Sequence, residues 1–247
     1  MAIIRIIESS SFCCGKNIEK KNEDAILSPR YVQNGLLLAV ADGVGSYQGS
    51  DLASMCAIEY LESLTNVSDA LQSDIIFSDI LGRIIDLSEN NLEYEKASTT
   101  LTFLFVHNDQ LHIGHIGDCR AYAKVGNKLK QLTKDHTKHQ ELMDEKIFTK
   151  KQLKNVKGKN IITTAISQVV SMKYDVTSIP LCELVNNDRT IMLYIMSDGS
   201  HEHWERNPRF SLNTMSSSIK FGNALQRRIE RYGPTDDFSF VGVKIKL

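Results

Sequence analysis

The sequence predicts an α+β fold in which two packed, mostly antiparallel sheets carry helices on their outer faces, a four-layer α-β-β-α sandwich. Three observations carry this expectation. Strand-like runs in the middle of the chain are joined by tight turns at Asn108-Asp109 and Gly126-Asn127, which suits hairpins and antiparallel pairing. Helical stretches fall in groups between groups of strands rather than after every strand, which argues against a doubly wound parallel sheet. Two sheets packed together with helices outside would bury all of these apolar faces.

The elements follow in order. Residues 3–8 are apolar around Arg5 and read as a first strand. They lack the length and the small-residue cleavage site of a secretory signal. Residues 35–41 form a continuous apolar run ending in Asp42-Gly43, a buried strand meeting a turn. From Ser50 the period becomes helical, with Leu52, Met55, Cys56, Ile58, Tyr60 and Leu61 three to four residues apart. A second helix is expected over 73–94, striped by Ile76, Ile80, Ile84 and Leu87. Residues 98–106 and 110–116 read as strands, and 121–125 with 128–132 as a hairpin. The polar stretch 136–153 predicts one or two short helices. Strands at 190–196 and 238–246 flank a helix over 217–232, stopped by Gly233-Pro234. No repeat or linker interrupts the chain, so one domain over 1–247 is expected.

Composition narrows the function. The 247 residues are 42% hydrophobic and 24% charged, with a formal net charge of −1. That mix is globular, and near-neutrality gives no bulk attraction to nucleic acid or to an anionic membrane surface. No apolar run is long enough to cross a bilayer. The five cysteines are scattered without CxxC spacing, as expected for reduced thiols in the cytoplasm. No cysteine lies in a Cys-x5-Arg loop, so a thiolate nucleophile is not expected. The six lysines of 146–159 read as a solvated flap.

Acidic residues stand where strands end. Asp42 follows 35–41, Asp118 follows 110–116, Asp198 follows 190–196, and Asp236-Asp237 precede 238–246. One Asp-Gly after a strand needs no more than a good turn to account for it. Four such places are harder to dismiss, because strand ends of a compact sheet can converge on one cleft. Acid-only clusters favour hard cations such as magnesium or manganese. A pair of such ions about 3.5–4 Å apart acidifies water and clamps the oxygens of a phosphoryl transfer. None of the seven histidines completes a His/Cys zinc pattern. His201, three residues past Asp198, is the candidate for a nearby proton donor.

These residues resemble the protein phosphatase 2C family, and its compact bacterial members in particular. The resemblance runs along nearly the whole chain through eight stretches in the family order. They are Asn22-Glu23-Asp24-Ala25, Val40-Ala41-Asp42-Gly43-Val44-Gly45, Ser98-Thr99-Thr100-Leu101, Gly117-Asp118-Cys119-Arg120-Ala121-Tyr122, Gln131-Leu132-Thr133-Lys134-Asp135-His136-Thr137, Ile161-Ile162-Thr163-Thr164-Ala165-Ile166, Ser197-Asp198-Gly199 and Asp236-Asp237-Phe238-Ser239. The resemblance implies the sandwich fold with a metal channel at one end of the sheets. It implies a protein serine/threonine phosphatase that hydrolyses phosphoserine and phosphothreonine by attack of a metal-bridging hydroxide.

By motif position, Asp42, Asp198 and Asp236 would be the catalytic acids. Asp42 would bridge two Mn2+ or Mg2+ ions, Asp198 and Asp236 would complete the first, and the Gly43 carbonyl would bind the second. Glu23 and Asp24 would serve the second ion, directly or through water, and Asp118 with Asp198 would form a weaker third site. The partners implied are phosphorylated proteins and a cognate serine/threonine kinase, with no nucleic acid or membrane. Several positions depart from the pattern: Glu19 stands where relatives usually have arginine, Tyr47 where bacterial members often have histidine, Thr164 for arginine and Asp237 for asparagine, while Val44 replaces a histidine of some, mainly eukaryotic, relatives with an apolar residue as many bacterial members do. With Glu19 unable to hold phosphate, Lys20 is the expected substitute, since lysine binds phosphate as a point charge. The alternative is a catalytically weak or inactive module that binds phosphorylated partners. The loss at position 19 favours it, and the intact acids favour the enzyme.

Overall fold

The computed structural model describes residues 4–45, 47–153, 156, 158 and 161–246. Ile3 of the first expected strand and Lys154, Lys157 and Lys159 of the lysine-rich stretch lie outside these residues. The strands, in chain order, are β1 (Arg5–Cys14), β2 (Asp24–Val32), β3 (Gly35–Asp42), β4 (Leu101–His107), β5 (Gln110–Ile116), β6 (Arg120–Val125), β7 (Lys128–Gln131), β8 (Asp175–Pro180), β9 (Thr190–Met196) and β10 (Phe238–Lys246). They form two five-stranded sheets, ordered β1-β10-β9-β6-β7 and β2-β3-β4-β5-β8. Every pairing is antiparallel.

Alternation along the strands builds three apolar layers. Leu36, Leu38 and Val40 of β3 pack between the sheets with Leu193, Ile195, Val241 and Val243. The intervening Leu37, Ala39 and Ala41 face the helices Ser50–Ser63 and Ser73–Asn90, among Ala57, Leu61, Ile76 and Phe77. On the other outer face, Tyr194, Met196 and Phe240 meet Trp204, Phe221 and Leu225 of helices Asp198–Arg206 and Ser218–Tyr232. Strands buried on both faces read as continuous apolar runs, which is why 35–41 and 190–196 stand out in the sequence. With both faces apolar, size fixes the register of β3. Ala39 and Ala41 meet Ala53 and Ala57, so a slip by one residue would force Leu38 and Val40 into that small-residue layer. Overpacking of this kind costs about 1–3 kcal/mol.

Five elements differ most from expectation. The first strand runs on to Cys14, and the second helix stops at Asn90. β2 and β8 were not anticipated. β2 carries Pro29 where its pairing with β3 shifts register, between Leu27 and Arg30. β8 is a polar, exposed edge strand. Residues after Asp198, read as a turn, form helix Asp198–Arg206.

Candidate metal centre

The first acids come from the β2–β3 hairpin, whose register sets Asp24 opposite Asp42. The Asp42 backbone is fixed from the neighbouring segment. Its N–H donates to Thr100 Oγ1 (3.1 Å), and its carbonyl accepts from the Thr100 N–H (2.8 Å) and from Thr99 Oγ1 (3.1 Å). The Gly43 N–H donates to the Glu23 carbonyl (3.0 Å), to which Ser54 Oγ also donates (2.6 Å). No side chain fits at position 43, where a Cβ would stand 2.6 Å from the Ser50 carbonyl oxygen.

The other sheet supplies the remaining acids. Ser197 Oγ donates to Asp24 Oδ2 (2.9 Å) and accepts from the Ser239 N–H (2.9 Å). It sits at the N-cap of helix Asp198–Arg206 but caps nothing with its side chain, because that hydroxyl joins the two sheets instead. Asp198 lies in the first helical turn, where the backbone dipole favours a carboxylate. A Cβ on Gly199 would run into the Asp237 carbonyl, so the helix start lies directly against the 236–237 turn. Asp236 is exposed on that turn. Asp237 accepts from the Lys16 N–H on Oδ1 and from the Glu23 N–H on Oδ2, both at 2.7 Å. It therefore ties the start of the chain to β10. Asp118 is buried beyond β5, and its carbonyl accepts from His201 Nε2–H (3.1 Å).

Burial lifts Glu23, Asp24, Asp42, Asp118 and Asp198, and neighbouring carboxylates lift them further. For Asp42 the shift is large: burial leads, followed by the charges of Asp24, Asp198, Asp118 and Asp236. Asp198 is raised in the same way, by burial and then by Asp118 and Asp236. Asp118 rises to about 7 through burial and Asp135, against the pull of Arg120. Asp24 also rises to about 7, with burial outweighing the hydrogen bonds of Ser239 and Ser197. Glu23 reaches about 7 through burial, Asp237 and Asp236, with Lys20 acting the other way.

The groups acting most strongly on Asp42 besides burial are thus all carboxylates, and Asp24 Oδ1 is buried without a hydrogen-bond partner. A recess of repelling carboxylates with an unpartnered oxygen fits hard divalent cations. Among the described residues no three His, Cys, Asp or Glu side chains already stand in a ligating set. The structure brings Asp24, Asp42, Asp118, Asp198 and Asp236 into one electrostatic neighbourhood, with Glu23 at its edge. His201, expected as a nearby proton donor, points its Nε2 proton at a backbone carbonyl. Cys119 is fully buried and its thiol is pushed well up by burial, so it stays protonated. The hydroxyls of Ser54, Thr99, Thr100 and Ser197 and the carboxylate of Asp237 had no assigned role in the sequence. The only signal for them was a Ser or Thr one or a few residues from an acid at a strand end.

The sequence profile of the protein phosphatase 2C family matches residues 18–235. The serine/threonine phosphatase stp of Listeria welshimeri is 27% identical over 176 residues, which is 67% of this chain and 67% of that protein. Its counterpart in Listeria monocytogenes serotype 4b is 26% identical over 155 residues and is covered to 62%. Among solved structures, the serine/threonine phosphatase Stp1 of Staphylococcus aureus superposes with a TM-score of 0.80 at 22% identity, covering 100% of this chain and 98% of that one. The catalytic domain of the phosphatase PstP, solved in complex with two manganese ions, gives a TM-score of 0.74 at 22% identity with 99% of each chain covered. These two structural likenesses establish the sandwich fold.

Proposed function

The chain belongs to the protein phosphatase 2C family, and from that premise we propose that it is a serine/threonine phosphatase that needs two divalent cations, Mn2+ or Mg2+. The observation that carries this reading is the recess itself, in which carboxylates from both sheets are held with their pKa values raised and carboxylate neighbours dominate around Asp42. Asp42, Asp198 and Asp236 are the residues proposed to hold the first ion. Asp42 and the Gly43 carbonyl would hold the second, with Glu23 and Asp24 beside it, and Asp118 with Asp198 would offer a weaker third place. When bound, such cations make water a nucleophile at neutral pH and neutralise charge developing on the phosphoryl oxygens.

The chain's own residues do the positioning. Thr99 and Thr100 fix the Asp42 backbone. Ser197 sets the orientation of Asp24. Asp237 holds the segment 16–23 against β10. Within that segment Lys21 pairs with Asp51 at 2.5 Å, whereas Lys20 acts on Glu23. That supports Lys20 as the phosphate contact in place of arginine. The whole of 1–247 works as one domain on phosphorylated proteins made by a serine/threonine kinase, in the cytoplasm. Among the described residues no helix is long and apolar enough to cross a membrane.

The test is turnover of a phosphothreonine peptide with and without manganese. Manganese-dependent release of phosphate, lost on chelation and restored by the metal, is the expected result. Full activity in a metal-stripped sample rejects the reading. Binding of the peptide without turnover at any metal concentration would favour the non-catalytic module.

A further inference from the structure

A cleft of about 220 Å³ opens beside the acidic recess, walled by Val44, Tyr47, Ile162, Ala165, Val169 and Val170. It is smaller than the ~300–1,000 Å³ typical of small-ligand sites, and suits one side chain rather than a whole ligand. Its polar groups are few and occupied. Thr164 Oγ1 donates to the Ser171 carbonyl (3.0 Å) and accepts from the Lys173 N–H (2.8 Å), and Ser98 Oγ donates to the Lys96 carbonyl (3.2 Å). The one charged lining residue, Lys96, holds its ammonium 5.5 Å from the Tyr47 ring centroid. Val169 and Val170 are about half exposed, at 53% and 43%. Tyr47 and Thr164, two of the departures from the bacterial pattern, line this cleft together with Val44.

The cleft neighbours the acids through the backbone of 42–44 and 98–100. The Val44 N–H donates to the Ser98 carbonyl (2.9 Å), and Thr99 bridges Gly43 on one side and Ile166 on the other. Val44 is two residues from Asp42, so their Cα atoms lie at most about 7–8 Å apart. An extended peptide advances about 3.3 Å per residue. A side chain two or three residues from a phosphorylated residue seated at the acids therefore has the reach to meet the cleft.

We propose that this cleft is a specificity pocket for an apolar side chain, leucine or larger, within three residues of the phosphorylated residue of the substrate. The proposal rests on the phosphatase reading above. Its test is a set of phosphothreonine peptides in a serine background, with leucine moved through positions −3 to +3, assayed on the wild type and on the Val169→Asp/Val170→Asp variant. In the wild type, leucine at one position should raise kcat/KM about tenfold or more, and the variant should lose that gain. Both proteins should turn over p-nitrophenyl phosphate, which is too small to reach the cleft, at the same rate. Fluorescence anisotropy on the same peptides reads the preference without turnover. A protein that binds leucine peptides selectively but hydrolyses nothing overturns the phosphatase reading alone. An active protein with a flat leucine profile, or a preference that survives in the variant, overturns the pocket. A flat profile together with a dimer dissolved by the variant would assign the cleft to a second copy of the chain.

Discussion

Asp135 and Asp42 are both largely withdrawn from water, and they sit in opposite electrostatic worlds. Burial acts to raise Asp135, but Arg120 outweighs it with two hydrogen bonds, Nε to Oδ1 at 2.8 Å and Nη2 to Oδ2 at 2.6 Å, and leaves its pKa below the ordinary value. Asp42 receives no comparable help and is pushed well up. Asp118 lies between the two worlds, raised by burial and Asp135 and eased by Arg120. One kind of buried carboxylate is complete within the protein. The other is surrounded by carboxylates and is the kind that the proposed cations would complete. Burial alone does not separate a structural acid from one kept for chemistry, whereas the identity of its neighbours does.

The largest effect that sharpens this contrast is expected on the structural side. Arg120→Ala leaves Asp135 buried and unpaired beside Asp118, and should cost about 3–5 kcal/mol of stability in urea unfolding. A loss under about 1 kcal/mol would mean that water already screens the pair as on a surface.

Asp42→Asn should do the reverse. Turnover of a phosphopeptide at saturating manganese should fall about a hundredfold or more, while the melting temperature of the metal-free protein holds or rises, because one repelling charge has gone. Near-normal turnover in this variant would remove Asp42 from the proposed centre.

A smaller effect follows from Glu23, Asp24 and Asp118, each raised to about 7. A carboxyl raised on folding is bound to more protons in the folded state between its ordinary pKa near 4 and its folded one. The stability it contributes is full below about pH 4 and is lost as pH climbs through about 7. The metal-free protein should therefore melt lower at pH 8.5 than at pH 5.5, by a few °C, and manganese should erase most of that gap. An equal gap with and without metal would break the link between these acids and the cations.

The smallest effect concerns a cation the chain supplies itself. Lys20→Ala should raise KM for a phosphopeptide about three- to tenfold with little change in kcat, as loss of a single exposed phosphate contact would. An unchanged KM would show that the segment around Glu19 does not meet the phosphate.

Much of this molecule was legible from its residues, for reasons that differ by element. β3 and β9 announce themselves because both their faces are buried. β2 was hidden by Pro29, which reads as a breaker until the register shift beside it is seen. Helix Asp198–Arg206 was hidden because Asp-Gly signals a turn equally well. The acids were recoverable from their order and strand-end setting. The ties among them were not, since Ser197 and Asp24 are 173 positions apart and a serine carries no mark of the carboxylate it will meet.

Among the described residues the edge strand β1 pairs only with β10, and Asp237 reaches back 221 positions to Lys16 and 214 to Glu23. Synthesis at about 5–20 residues per second leaves β1 and the 16–23 segment without their partner strand for roughly ten seconds or longer. The half-made chain holds Asp42 but neither Asp236 nor the strap that anchors Glu23. On the proposed assignment the ligand set closes only once β10 has been made, so the order of translation sets when the centre can assemble.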